Sequence, residues 1–171
     1  MKVSLAWEKS EAGGLLEEWL ASHQGDLSCV LEELYRENFP ESSGWDELEI
    51  SLQFLDEEAM AALNGQYRGE NRPTDVLSFP LWENDGHLEL PPAGGVLPLG
   101  DLVFCRPVLD ANAAAAGTSV QSELALLLAH GALHLIAWDH DTEERRAAMW
   151  AVQERYRQRI LERAGACVKE G

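Results

Sequence analysis

The stretch Ser119–His140, SVQSELALLLAHGALHLIAWDH, contains the most informative pattern of the chain. A serine followed by a long apolar run predicts the start of a helix at Ser119. His130 and His134 are four residues apart, so both imidazoles project from one helical face with Cβ atoms about 6 Å apart. His140 follows after the apolar pattern breaks, and a chain that turns there can bring a third ring nitrogen to the same point.

Three histidines arranged in this way predict a metal site. Three of the five histidines of the chain fall within eleven residues, which favours metal binding over the ordinary core role of a lone histidine. Three protein ligands leave the fourth position of a tetrahedral zinc ion open, as in catalytic zinc sites. We therefore expect one Zn²⁺ per chain, held by His130, His134 and His140, with Asp139 as a carboxylate that orients a ligand.

The spacing H-x-x-x-H-x-x-x-x-x-H also occurs in the metzincin peptidases, whose motif is H-E-x-x-H-x-x-G-x-x-H. Gly131 stands where those peptidases have the glutamate that acts as general base. Ala137 stands where they have a glycine. The spacing alone leaves a metal-dependent hydrolase of this class open, but its usual proton acceptor is missing.

The chain resembles the YbeY-type metal-dependent endoribonucleases of bacteria and organelles in three blocks of sequence. The first is HGALHLIAWDH at 130–140, where the family reads H-G-x-L-H-L-x-G-Y-D-H, so that Ala137 and Trp138 depart from it. The second is YRG at 67–69 with PTDVLSFP at 73–80, and the third is LGDL at 99–102. The match runs in order from about Glu47 to about Trp150, whereas residues 1–45 carry no motif of the family.

This resemblance implies a single-strand-specific, zinc-dependent endoribonuclease in small-subunit ribosomal RNA maturation and ribosome quality control. It also implies that Arg68 is catalytic, because RNA cleavage needs positive charge where negative charge develops on the phosphate. The alternative for Arg68 is a surface salt bridge at the end of a helix. Asp75, Ser78 and Asp101 lie in the same blocks, but their strand and turn context favours structural roles.

Ala137 is the departure from the family that should affect the backbone. The family glycine indicates a left-handed residue that ends the helix and lets the chain return the third histidine. Alanine in that conformation costs about 1 kcal/mol relative to glycine. Because the spacing to His140 is unchanged, we expect Ala137 to adopt this strained conformation.

Two other functions stay open. One is a metal-dependent hydrolase of another class, such as a metzincin-like peptidase. The other is a non-catalytic ribosome-assembly factor with a structural zinc site. An open coordination position would separate the enzymes from the assembly factor.

The acidic composition argues against RNA binding over the whole surface. Thirty acidic residues accompany thirteen basic ones, for a net charge of −17 and a pI near 4.5. Because nucleic-acid affinity comes mainly from cations that displace counterions, any RNA binding must rely on a local patch, and the candidates are Arg68, Arg72 and Arg106. The six arginines between 145 and 163 alternate with glutamates, which favours a salt-bridged helix face. The charge also favours a basic ribosomal protein of the small subunit as the partner that delivers single-stranded ribosomal RNA.

Length and composition predict one cytoplasmic domain over 1–171. No run approaches the roughly 20 apolar residues of a membrane span, and the amino terminus does not resemble a signal peptide. The scattered cysteines are typical of reduced thiols, two of them in the core. They are Cys29, Cys105 and Cys167.

The pattern of apolar residues predicts an α+β fold with a four-stranded mixed sheet, helices packed on it and a central metal-binding helix. The expected strands are Lys2–Trp7, Leu48–Phe54, Val76–Phe79 and Leu99–Cys105. The expected helices cover Glu11–Asn38 with a break at His23–Asp26, Asp56–Tyr67, Pro107–Ala116, the motif helix from Ser119, and a terminal helix with an Asp141/Glu144 capping box. Residues 82–98, rich in glycine and proline, predict a long mobile loop.

Overall fold

The computed structural model describes residues 1–165, which form six α-helices, a four-stranded sheet and a small hairpin. The strands are β1 (Lys2–Ala6), β2 (Glu47–Leu55), β3 (Val76–Pro80), β4 (Glu83–Asn84), β5 (His87–Leu88) and β6 (Val96–Cys105). The helices are α1 (Gly14–Ser22), α2 (Gln24–Asn38), α3 (Glu57–Arg68), α4 (Arg106–Ala116), α5 (Val120–Leu135) and α6 (Glu143–Arg163), with a 3₁₀ turn at Pro40–Gly44. The predicted α+β class with a four-stranded mixed sheet is confirmed.

The main sheet has the strand order β1-β2-β6-β3. The first three strands are parallel, and β3 runs antiparallel to β6 at the edge. Side chains along β6 alternate between two buried clusters: Leu102 and Phe104 join the main core, whereas Val103 and Cys105 join a smaller cluster on the other face. This period of two is the pattern that a strand covered on both faces requires, because successive side chains point to opposite sides.

The motif helix α5 lies inside the molecule and packs against β3, β6 and α6. Its apolar residues are buried nearly all round, as expected of an internal helix. Gly131 allows the helix to approach the sheet closely, because a Cβ at this position would lie 2.6 Å from a methyl carbon of Leu102. From α2, the Tyr35 hydroxyl donates a hydrogen bond of 3.0 Å to the Ala132 carbonyl. The backbone that carries the histidines is therefore held from several sides.

Two helix boundaries differ from the prediction. Only His23 separates α1 from α2, so the residues from Gln24 to Asp26 form the first turn of α2 instead of a break. Helix α6 is capped by Thr142, whose hydroxyl accepts a hydrogen bond of 3.1 Å from the Arg145 amide. The predicted Asp141/Glu144 capping box is wrong, because the helix begins one residue later.

Residues 82–98 contain more secondary structure than the predicted loop. Strands β4 and β5 form a hairpin joined by Asp85 and Gly86, whose φ angles of 51° and 79° are those of a type I′ turn. Strand β6 begins at Val96, before the predicted Leu99. A β-bulge at Leu99 shifts its register with β2 and hides the alternation in the sequence.

Two further predictions concern the burial of the cysteines and the absence of a membrane span. Cys105 is buried and Cys29 is half-buried, so only one of the two core cysteines expected is found among the described residues, and Cys167 lies outside them. None of the helices within residues 1–165 combines the length and apolar character that a membrane span requires.

Candidate metal centre and its cleft

Helix α5 and the turn after it bring the three histidines together. His130 and His134 project from one face of the helix, which ends at Leu135. Ala137 then has a φ of 67°, so the predicted left-handed residue is confirmed. The Trp138 amide donates to the Leu133 carbonyl at 3.0 Å, which closes the turn and returns the chain towards His140.

One ring nitrogen of each of the three histidines lies within 4.8 Å of the others. The Nε2 atoms of His130 and His134 are 2.9 Å apart, and the ring of His140 stacks on that of His130 with an interplanar angle of 25°. Tetrahedral ligands about 2.1 Å from zinc are about 3.4 Å apart. Small rotations of the side chains therefore suffice for all three histidines to bind one ion.

Hydrogen bonds at the far side of two rings determine which nitrogens face the centre. The Nδ1 of His134 donates to the Trp138 carbonyl at 2.8 Å, and the Nδ1 of His130 donates to the Gln153 amide oxygen at 2.9 Å. In each neutral ring the proton is then on Nδ1 and the lone pair is on Nε2. Two lone pairs face each other across 2.9 Å, an arrangement that a cation between them would stabilise.

Burial keeps these two rings neutral. It lowers the pKa of His134 to about 4, with help from His130, although the hydrogen bond to Trp138 acts in the opposite direction. Burial also lowers the pKa of His130, and the bond to Gln153 opposes that shift. Neutral imidazole is the form that binds metal, so at neutral pH His130 and His134 do not have to lose protons first.

The histidines lie at one side of an open cleft of about 430 Å³. Arg68, the last residue of α3, lines this cleft and makes no ion pair with any residue in the described part of the chain. Asp75, directly before β3, and Ser78, in the middle of that strand, also line the cleft, whereas Asp101 does not. The tip of the β4–β5 hairpin closes one side through Glu83 and Gly86.

The predicted basic patch is only partly assembled. Arg72 pairs with Glu70 at 2.8 Å and does not line the cleft. Arg106 donates to the Gly13 carbonyl and lies 3.5 Å from Asp110, also outside the cleft. Of the three candidates, only Arg68 lines the cleft together with the histidines.

The roles of Asp139 and Gln153 in the site differ from what the sequence predicted. Asp139 was expected to orient a ligand ring, but its carboxylate accepts from the His140 amide at 2.7 Å and thereby shapes the turn. The residue that does orient a ring by its side chain is Gln153 of α6, which is buried. It is 23 residues from His130 and on another helix, so no local pattern indicates it.

Five of the six arginines of α6 form ion pairs within the described residues, in line with the predicted salt-bridged face, and three of the five pair with a different helix. Arg155 pairs with Glu37, and Arg159 and Arg163 pair with Glu33, all across the contact with α2. Only helix packing reveals these partners. The acidic residues of α2 thus neutralise cations that would otherwise be available to an anionic ligand.

The fold and the site together define an α+β protein whose three-histidine cluster could hold a metal ion beside an open cleft. The family model described as Endoribonuclease YbeY matches residues 20–161, and the chain belongs to this family. It is 44% identical over 120 residues, 69% of this chain and 73% of the relative, to Endoribonuclease YbeY of Geobacillus kaustophilus. Endoribonuclease YbeY of Synechococcus sp. is 38% identical over 154 residues, 88% of this chain and 90% of the relative.

A solved structure supports the fold. The solution structure of TM1509 from Thermotoga maritima superposes with a TM-score of 0.63, covering 96% of this chain and 92% of that chain. The two sequences are 21% identical, so this likeness concerns the fold alone.

Proposed function

We propose that this chain is a single-strand-specific, zinc-dependent endoribonuclease that acts in small-subunit ribosomal RNA maturation and ribosome quality control in the cytoplasm. The observation that carries the proposal is the pair of facing Nε2 atoms of His130 and His134, with His140 in reach and an open cleft beside them. The relatives named Endoribonuclease YbeY support RNA as the substrate.

In this proposal His130, His134 and His140 hold one Zn²⁺ through ring nitrogens. A zinc ion with three protein ligands supplies Lewis acidity and activates water near neutral pH. The backbone of the Trp138 turn and the side chain of Gln153 orient two of the ligand rings from behind. The remaining space of the cleft admits a phosphodiester.

Arg68 is proposed to stabilise the negative charge that develops on the phosphate during cleavage. Its guanidinium is free of ion pairs within residues 1–165, so no carboxylate has to be displaced when the phosphate binds. The surface salt bridge, which was the alternative role, has no partner there. A planar, permanently charged guanidinium suits a phosphate because it can donate two parallel hydrogen bonds.

Packing at Gly131 disfavours a peptidase of the metzincin class. A side chain at this position would collide with Leu102 of β6, so the position points to the sheet and cannot present a general base to the cleft. A non-catalytic assembly factor with structural zinc is disfavoured by the open cleft at the cluster, because structural zinc sites are closed by four protein ligands.

The charge of −17 supports a role for a protein partner. We infer that a basic ribosomal protein of the small subunit binds the acidic surface and brings single-stranded ribosomal RNA to the cleft. Long-range repulsion of polyphosphate makes encounter with bare RNA slow and dependent on salt.

The experiment that tests the function compares Arg68→Ala with Arg72→Ala in zinc-loaded protein. Both variants remove one exposed arginine near the end of α3, but only Arg68 lines the cleft. We expect Arg68→Ala to slow cleavage of a single-stranded ribosomal RNA fragment by about 100-fold, the usual effect of losing one such donor. Arg72→Ala should cleave like the wild type, and a duplex of the same sequence should resist. Equal rates for both variants would remove Arg68 from the mechanism.

A further inference from the structure

A second cavity of about 350 Å³ adjoins the histidine cluster. It shares His130 and His140 with the cleft, and α6 supplies the rest of its lining. These α6 residues are Arg146, Met149, Trp150 and Gln153. Because the two cavities share these histidines, an RNA strand whose phosphate occupies the cleft has this cavity within reach.

Trp150 presents an unusual surface in this cavity. Its side chain is 58% exposed, although the neighbouring Met149 is buried in the core. A tryptophan ring in water leaves a large apolar area uncovered, and exposed surfaces of this kind mark binding sites. A flat ring at the mouth of a cavity is suited to stacking with another flat ring.

Arg146 is the second notable feature. Ten arginines occur in the chain, and eight of them pair with an acidic side chain of residues 1–165. The two that make no such pair are Arg68 and Arg146, and each lines one of the two cavities that share His130 and His140. In a chain with 30 acidic residues, cations kept free at these two places favour an anionic ligand that spans the cluster.

Arg146 and Trp150 are also spaced for joint recognition. They are four residues apart on α6, so their side chains lie on the same face of the helix. A base stacked on the indole would have its backbone phosphate within reach of the guanidinium. Stacking on aromatic rings together with arginine contacts is the usual way in which proteins bind unpaired nucleotides.

We propose that this second cavity is a nucleotide subsite, in which one unpaired base of the RNA stacks on Trp150 while its phosphate pairs with Arg146. The inference rests on the proposed function and names the part of the substrate bound beside the cleaved phosphodiester. Every base has a flat face, so the subsite tolerates different sequences. It requires an unpaired base, which provides a physical reason for preferring single strands over duplexes.

Binding of a fluorescein-labelled oligodeoxyadenylate of about ten nucleotides to zinc-loaded protein tests the subsite, read by fluorescence anisotropy. This probe offers the same base and phosphate as RNA but lacks the 2′-hydroxyl. We expect Trp150→Ala to weaken binding about tenfold, as loss of one stacked base does, and Trp150→Phe to retain most of the affinity. Leu15→Ala is the matched control, since Leu15 is 71% exposed on α1 and lines neither cavity.

An abasic nucleotide moved along the probe separates stacking from a structural effect of the substitution. In the wild type, one abasic position should weaken binding by the same factor as Trp150→Ala, and in Trp150→Ala that position should have no further effect. Arg146→Ala should weaken binding and reduce its salt dependence, whereas Arg36→Ala on α2 should change neither.

The outcomes also distinguish this inference from the proposed function. If the wild type cleaves ribosomal RNA but no abasic position matters, or if Trp150→Ala binds like the wild type, the subsite is wrong and the endoribonuclease stands. If abasic sensitivity depends on Trp150 but no RNA is cleaved, the subsite stands and the catalytic proposal fails. Binding of apolar peptides in place of nucleotides would overturn the subsite.

Discussion

Replacing Ala137 by glycine is predicted to stabilise the protein, although glycine usually destabilises an ordered backbone. Ala137 has a φ of 67°, a conformation in which an L-residue brings its Cβ close to the following carbonyl oxygen. The turn is nevertheless maintained by the bond from the Trp138 amide to the Leu133 carbonyl and by the bond from His134 to the Trp138 carbonyl. Strain in the turn is thus coupled to the orientation of the His134 ring.

The magnitude follows from two opposing contributions. The left-handed conformation costs alanine about 1–2 kcal/mol. Glycine avoids that cost but loses about 0.4–1 kcal/mol more chain entropy on folding. The net expectation for Ala137→Gly is an increase of about 0.5–1 kcal/mol in the free energy of unfolding, since the loss of helix propensity hardly matters beyond a helix end.

The chain contains a matched control. Gly117 follows α4 with the same φ of 67°, and the Thr118 amide donates to the Ala113 carbonyl in the pattern seen at Trp138. A Cβ added at Gly117 would have no atom within 4 Å, so Gly117→Ala reports the conformational cost without a clash. We expect Gly117→Ala to destabilise the protein by about 0.5–1 kcal/mol, opposite in sign to Ala137→Gly.

Urea unfolding of the wild type and both variants, with and without zinc, provides the measurement. The reasoning is refuted if Gly117→Ala destabilises the protein as expected while Ala137→Gly destabilises it by a similar amount. That result would mean that the turn before His140 is not strained in solution.

Three further predictions concern the histidines and the residues that orient them. Gln153→Met should weaken zinc binding about 10- to 100-fold in chelator competition, because it removes the acceptor for the Nδ1 of His130. Gln153→Glu keeps an acceptor and should keep the affinity. Equal zinc affinities of Gln153→Met and the wild type would show that Gln153 only fills space. In zinc-free protein, the pKa of His134 at about 4 lies below its unfolded value near 6.5, so the unfolded state binds the proton first as pH falls. The free energy of unfolding should then drop by about 1–2 kcal/mol between pH 7 and pH 5, after allowance for partial solvent screening. His134→Phe should lose this part of the pH dependence. The same pH dependence in the wild type and in His134→Phe would exclude a neutral buried His134. Ser78→Ala should leave zinc content unchanged, because Ser78 lines the cleft without belonging to the histidine cluster, and metal analysis showing zinc loss would assign it a role in binding.

The parts of the fold and site that could be predicted are those specified by local patterns. The spacing of His130 and His134 on a helix depends only on helical geometry. The strand containing Leu48, Ile50, Leu52 and Phe54 was predictable because its burial alternates strictly. The positive φ at Ala137 followed from the number of residues available for the chain to return to His140, once the family resemblance was considered.

The parts that were missed depend on tertiary packing or on a weak local signal. Gln153 contacts His130 only because α6 packs against α5, and the acidic partners of the α6 arginines come from α2. The Asp85–Gly86 turn is a known hairpin signal, but the flanking strands have two residues each and show no alternation. Asp75 and Ser78 lie in a strand motif, and only the position of α5 shows that they line the cleft.

Zinc content measured together with RNA cleavage, in the wild type and in His134→Ala, tests the central claim most directly. We predict one zinc ion per wild-type chain, cleavage of single-stranded ribosomal RNA that a chelator abolishes and added zinc restores, and loss of both zinc and cleavage in His134→Ala. Full zinc occupancy in His134→Ala, or undiminished cleavage by chelator-treated wild type, would contradict the assignment of the histidine cluster as the catalytic metal centre.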